Sequence, residues 1–175
     1  TDAEAVTRSE ISARLAVWEH FQTLKAKHTG MEAAYVAETP PLIGIRQTRF
    51  VRGLYSLTAD DAISGRRFDD VVAISSCPII SYYGYRRYLE HEGFDIPFRC
   101  LVPLELDGLL IAGRCISSEQ EPYESFRAMA PIMAIGQAAG AAAALASKSS
   151  VQVRDVEISR LQSLLVEQGA ELRLA

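Results

Sequence analysis

Gly108-Leu109-Leu110-Ile111-Ala112-Gly113-Arg114-Cys115-Ile116-Ser117, then Ser-Phe-Arg-Ala-Met-Ala-Pro-Ile-Met-Ala-Ile-Gly-Gln-Ala-Ala-Gly at 125–140 and an alanine run at 141–144, decides the fold. Residues 109–112 are a short continuous apolar run between two glycines, the pattern of a strand buried on both faces of a parallel sheet. A long apolar helix is expected within a dozen residues of it. Its small residues Gly136, Ala138, Ala139, Gly140, Ala141 and Ala142 let another backbone approach closely, as a helix packed flat on a sheet or over a bound cofactor requires. Proline lacks an N–H and is tolerated in a first helical turn, so Pro131 fits a helix start near Met129 and Ala130; in a helix that began earlier it would make a kink.

Around this stretch the chain has the size and composition of a globular domain. Its 175 residues are 49% hydrophobic and 23% charged, enough for one domain with a real core. A net charge of −4 gives no basic footprint for nucleic acid. The apolar run at 132–146 is interrupted by Gly136, Gln137 and Gly140 and is short for a membrane span, and the N-terminus carries no signal-peptide pattern. A cytoplasmic protein without a nucleic-acid or membrane partner is the expectation. Cys77, Cys100 and Cys115 are an odd number with no Cys-x-x-Cys spacing, and His20, His28 and His91 are scattered, so no metal site is expected. Cys115 reads as a buried small residue, with a place near a cofactor as the alternative.

Toward the N-terminus, Ile11, Leu15, Trp18 and Phe21 stand at helical spacing, which predicts an amphipathic helix within residues 1–30 ending near Gly30. A strand is expected at 33–38, a break at Pro40-Pro41, and a long extended segment at 43–57. Thr58 reads as the N-cap of a short helix with Asp60 and Asp61 in its first turn, stopping near Gly65. Residues 71–74 read as a strand or extended segment. Residues 75–95, with Tyr82, Tyr83, Tyr85 and Tyr88 beside Arg86 and Arg87, read as a lid, a binding loop or a subunit contact. Beyond the long helix, Val156, Leu161, Leu164 and Leu165 predict a C-terminal helix closed by Gly169.

These residues resemble a known family. Gly-Ile-Arg at 44–46, Ser-Gly-Arg-Arg-Phe-Asp-Asp at 64–70, Ile-Pro-Phe-Arg-Cys-Leu-Val-Pro at 96–103 and Ala-Gly-Arg-Cys-Ile-Ser at 112–117 are similar to blocks of the FAD-dependent oxidoreductases. The stretch at 108–145 resembles the C-terminal end of the two-dinucleotide-binding-domain flavoproteins, and distantly the flavoprotein subunits of succinate dehydrogenase and fumarate reductase. The resemblance implies an α/β fold, the C-terminal part of a Rossmann-like FAD-binding domain with an inserted loop-rich, substrate-facing region, at 31–175. It also implies FAD as cofactor, Gly113 and Arg114 at the ribityl chain where the family has a Gly-acid pair, and Met129 and Ala130 at the flavin's pyrimidine edge. Arg127, set against the positive end of the helix dipole, joins them as a cofactor contact because that position favours a nearby anion.

Candidate catalytic residues are Arg46 and Arg99, as anion contacts, and His91, as a base near neutral pH. Ordinary salt bridges are the alternative for the arginines, and a solvent-exposed side chain for His91. The strand, Gly-x-Gly-x-x-Gly turn and helix that hold the FAD pyrophosphate in this family have no counterpart in the sequence. The expectation is a subunit or fragment of a flavoenzyme completed by a second polypeptide or a missing N-terminal segment, inactive alone, that transfers a hydride between flavin and a small organic substrate. Thr1 suits either removal of an initiator methionine or cleavage of a precursor. Two alternatives remain: a non-catalytic small subunit that stabilises or regulates a flavoprotein, and an α/β domain without flavin.

Overall fold

Two units make up the chain, residues 1–48 and 49–175, and the computed structural model describes residues 2–81 and 84–173. Thr1, Tyr82 and Tyr83 lie outside the described residues, and with them part of what was expected of the N-terminus and of the tyrosine loop.

The first unit is built on helix α1 (Ala3–Lys27). Asp2 caps it by accepting the Glu4 N–H at 3.1 Å, and Lys25 and Lys27 sit in the last turn, where the dipole favours cations. Residues 39–43 are tied to it by two side chains. Arg14 pairs with Glu10 at 2.6 Å and donates to Thr39 and to the carbonyls of Pro40 and Pro41, and Glu10 accepts the Ile43 N–H at 2.8 Å. The Ile43 N–H above all, with Arg14, holds the Glu10 carboxyl below its usual range against the upward push of desolvation. The strand expected at 33–38 does not form, because nothing among the described residues offers it a ladder partner. No residue of α1 is buried, and the expected apolar stripe of Ile11, Leu15 and Trp18 stays more than half exposed.

In the second unit the local signals fold as their chemistry dictates. Thr58 and Asp61 form a capping box at the start of α2 (Ala59–Ser64), and Gly65 ends it in the left-handed region at φ 65°. Strand β1 (Val71–Ser75) pairs antiparallel with β4 (Phe94–Pro97), and β2 (Ile79–Ile80) with β3 (Arg86–Arg87). The loop expected at 75–95 therefore contains a short hairpin. Helices α3 (Gln120–Phe126), α4 (Met129–Ser149) and α5 (Ile158–Glu167) follow. At the end of α5 the Gly169 N–H bonds to the Val166 carbonyl and the Ala170 N–H to the Leu165 carbonyl, a Schellman closure that uses the positive φ of Gly169.

The architecture is thus a mixture of helices with a small sheet, and the sheet corrects the expectation of a parallel one. Residues 109–112 form no strand. Their single ladder-like bond runs from the Ile111 N–H to the Leu101 carbonyl, and no second neighbour stands among the described residues, so an apolar run suited to a doubly buried strand is left partly exposed. Likewise, most of 43–57 is irregular and carries only isolated bridges at Gly53 and Leu57. A Cβ on Gly53 would stand 2.8 Å from that of Ser117, so only glycine allows this close crossing.

The core lies between β1/β4 and the helices. Leu57, Phe94, Ile96, Leu101, Ile116, Tyr123, Phe126, Ile135, Leu161 and Leu165 are all fully buried within it. The small residues Ala138, Ala141 and Ala142 on the inner face of α4 let that helix lie close to the core. By length and composition α4, at 21 residues, is also able to cross a membrane, and it is longer than the apolar run alone suggests.

Within this core the Asp95 carboxylate is 0% exposed and accepts the Phe68 N–H at 3.0 Å, with Arg173 at 3.0 Å and Arg67 at 3.4 Å. Removing one side of a buried ion pair leaves the other charge uncompensated and costs several kcal/mol. Asp95→Asn is expected to lower the unfolding free energy by ~3 kcal/mol in urea titrations; a loss below ~1 kcal/mol would show that the two arginines do not depend on the carboxylate.

Candidate functional site

The junction of α3 and α4 is set by backbone chemistry. Arg127 caps the C-terminus of α3, Ala128 is the N-cap of α4, and Pro131 falls in the first turn, as its missing N–H requires. Ala128 has no side chain to cap with, and the N–H groups of Met129 and Ala130 bond to no other described residue. Met129 is 80% exposed. The start of α4 therefore presents open donors and the positive end of a 21-residue helix.

The residues before this junction hold a neighbouring segment in place. The Ser125 hydroxyl donates to the Cys77 carbonyl at 2.6 Å and in turn accepts from Ser75 at 2.8 Å, while Arg127 donates to the Ile80 carbonyl at 3.2 Å. Arg127 thus serves the packing of β2 as well as standing one residue before the helix cap. Glu124 is buried too, with Oε1 accepting from the Gln120 amide at 3.1 Å and Oε2 left without a hydrogen-bond partner.

Gly113 and Arg114 follow the 109–112 segment. Gly113 has φ 93°, and a Cβ there would meet nothing within 4 Å, so the glycine serves the turn and leaves open space beside it. Arg114 is exposed and makes no hydrogen bond or ion pair with any described residue. In the following loop Ser117 is buried and its backbone bonds to Cys100 and Leu57, while the Glu119 carboxylate accepts the Ala59 N–H at 2.8 Å. Cys115 is half-buried, and the fully buried thiol is Cys100, which burial pushes up to about 12, leaving it an inert protonated thiol at neutral pH.

Of the three candidate catalytic side chains, Arg99 and His91 lie in the second unit with different neighbours, and Arg46 lies in the first. Arg99 is a structural cation. Its guanidinium forks onto Asp70 at 2.9 and 3.0 Å and lies over the Tyr55 ring at 5.2 Å, which fixes the 96–103 block to the 64–70 block. His91 is exposed and packs against Gly65 at the end of α2. Arg46 belongs to the first unit, exposed, with its guanidinium lying back over Gly44.

Sequence reasoning missed a second polar cluster, at Tyr55, Asp61 and Arg66. The Asp61 carboxylate accepts from the Tyr55 hydroxyl at 2.6 Å, the Thr58 N–H at 2.9 Å and Arg66 at 2.9 Å. The signal for its capping half lay in Thr-x-x-Asp; Tyr55 carried none. Burial pushes the Asp61 carboxyl up, and the Tyr55, Thr58 and Arg66 hydrogen bonds more than reverse it, so the group lies below its ordinary 3.8. Burial, with the bond to Asp61, pushes the Tyr55 phenol to about 12.

An open helix start and a positive-φ glycine beside open space are features of a cofactor-holding domain, and the donors present suit the anionic edge of a flavin. A family model described as FAD dependent oxidoreductase matches residues 1–165. The chain belongs to the FAD-dependent oxidoreductase family. FAD is the cofactor, and the family's function is flavin-linked redox chemistry. No curated protein and no solved structure matches the chain.

Because the folded-state value of Asp61 lies below the unfolded one, its contribution to stability is complete above pH 3.8 and is lost as pH falls below it. Asp61→Asn is expected to be less stable at pH 7 and to flatten the acid limb of the unfolding curve below pH 4, roughly the free aspartate value, as followed by circular dichroism. An unchanged acid limb would show that the cluster carries no linked proton.

Proposed function

We propose that this chain is the C-terminal part of an FAD-dependent oxidoreductase that transfers a hydride between the flavin and a small organic substrate, and that it acts only when joined to the part carrying the Gly-x-Gly-x-x-Gly turn. The observation that carries this is the uncapped start of α4, where Met129 and Ala130 offer N–H donors to no described residue. When bound, FAD supplies the redox chemistry. The chain supplies the electrostatics: N–H groups and the positive dipole end at Met129 and Ala130 stabilise negative charge on the pyrimidine edge and raise the flavin's reduction potential. Arg114, solvent-facing and unengaged, stands where it can meet the cofactor's polar chain, and Gly113 gives the turn that brings the backbone close.

Two surfaces support a second polypeptide or N-terminal segment as the missing part. Residues 109–112 have backbone groups suited to a neighbouring strand. The outer face of α4 runs Met129, Met133, Gly136, Gly140, Ala143 and Ser147, all exposed, at alternating four- and three-residue spacing. A Cβ on Gly136 or Gly140 would meet nothing within 4 Å, so this face has room for a close neighbour.

Arg114→Ala tests the cofactor contact without disturbing packing. In the purified complex the substitution is expected to weaken FAD binding about fivefold, as loss of one partly exposed charge-assisted hydrogen bond does, with the melting temperature of the apoprotein unchanged. Unaltered flavin content and affinity would place Arg114 away from the cofactor.

A further inference from the structure

A cleft of about 560 Å³ lies against β1, the first two turns of α4 and the C-terminal segment 170–173. Its size is that of a small-molecule site. Val72, Ala73, Pro131, Ala134 and Leu172 give it an apolar lining. Three charged side chains border it, Glu92, Glu171 and Arg173. Arg173 is drawn to the buried Asp95 at 3.0 Å, within the cluster that also holds Arg67. Glu92 and Glu171 are exposed and make no ion pair with any described residue. The lining therefore combines apolar surface with two carboxylates that pair with no described residue, and its one cation, Arg173, shares the Asp95 carboxylate with Arg67.

We propose that this cleft binds a primary alkylamine in its protonated form, with the alkyl chain on the apolar lining and the ammonium held by Glu92 and Glu171. An alcohol of equal length fills the same apolar space but gains nothing from the carboxylates. A carboxylic acid is repelled by them. Ala130, whose N–H belongs to the open start of α4, also lines the cleft. The proposal rests on the flavin reading for its catalytic meaning, since the amine is then the substrate held beside the cofactor, but the binding itself stands on the cleft alone.

Calorimetric titration of the full complex at pH 7.5 with hexylammonium, 1-hexanol and hexanoate tests it, with flavin content read separately from the visible spectrum. Hexylammonium is expected to bind at least ~tenfold more tightly than hexanol, and hexanoate least. Glu92→Gln and Glu171→Gln each weaken hexylammonium about threefold, as loss of an exposed ion pair does, without changing hexanol binding or the melting temperature. Ala134→Trp, which fills the apolar lining, removes binding of both. Equal affinity for the three head groups, or no saturable binding by any of them, overturns the proposal. Amine selectivity in protein that holds no flavin would uphold the cleft and overturn the cofactor reading; flavin in place with no amine selectivity would do the reverse.

Discussion

The fold depends on a buried carboxylate, Asp95, more than on any single apolar contact. Its side chain accepts the Phe68 N–H and faces Arg67 and Arg173, while its own N–H donates to the Arg66 carbonyl. One residue in β4 thereby joins the 64–70 block, the antiparallel pair β1/β4 and the C-terminal segment. Arg67 also donates to the Arg173 carbonyl, closing the arrangement. A buried ion pair is a weak net source of stability, yet it fixes register, because a shifted strand would leave three charges without partners. Asp70 and Arg99 repeat the device at the other end of the same blocks. Charged residues of the frame thus hold one another in pairs and clusters.

That division explains what could be read from the sequence. Signals confined to a few neighbouring residues came through: the Thr58 cap, the glycine stop at 65, the start of α4 ahead of Pro131, and the Gly169 closure of α5 all depend on local backbone chemistry. Strands came through at 71–74, where β1 forms, and not elsewhere, because a strand exists only with its neighbour. The 109–112 run has the composition of a doubly buried strand and only one ladder bond, and the 33–38 segment has no partner among the described residues. The hairpin β2/β3 is the converse, two residues paired with two in a segment without alternation.

The candidate site was legible to the same degree. Pro131 fits a helix start at Met129 and Ala130, whereas Gly113 is singled out by the family resemblance and its positive φ emerges only in the structure. The Asp70 partner of Arg99 and the place of His91 beside Gly65 are set by tertiary contacts that spacing does not carry. Asp61 reads as a first-turn residue, but its bonds to Tyr55 and Arg66 carry no signal in the spacing. The faces of α1 and α4 are among the exposed apolar surfaces, and they belong to different units of the chain.

The most direct measurement is native mass spectrometry together with a visible absorption spectrum, on protein purified with whatever co-purifies. A complex heavier than this 19.2 kDa chain, showing the bands of oxidised FAD that bleach on reduction, is the expected result. A colourless monomer that stays folded and takes up no FAD when the cofactor is added would contradict the proposal that the open start of α4 serves a flavin.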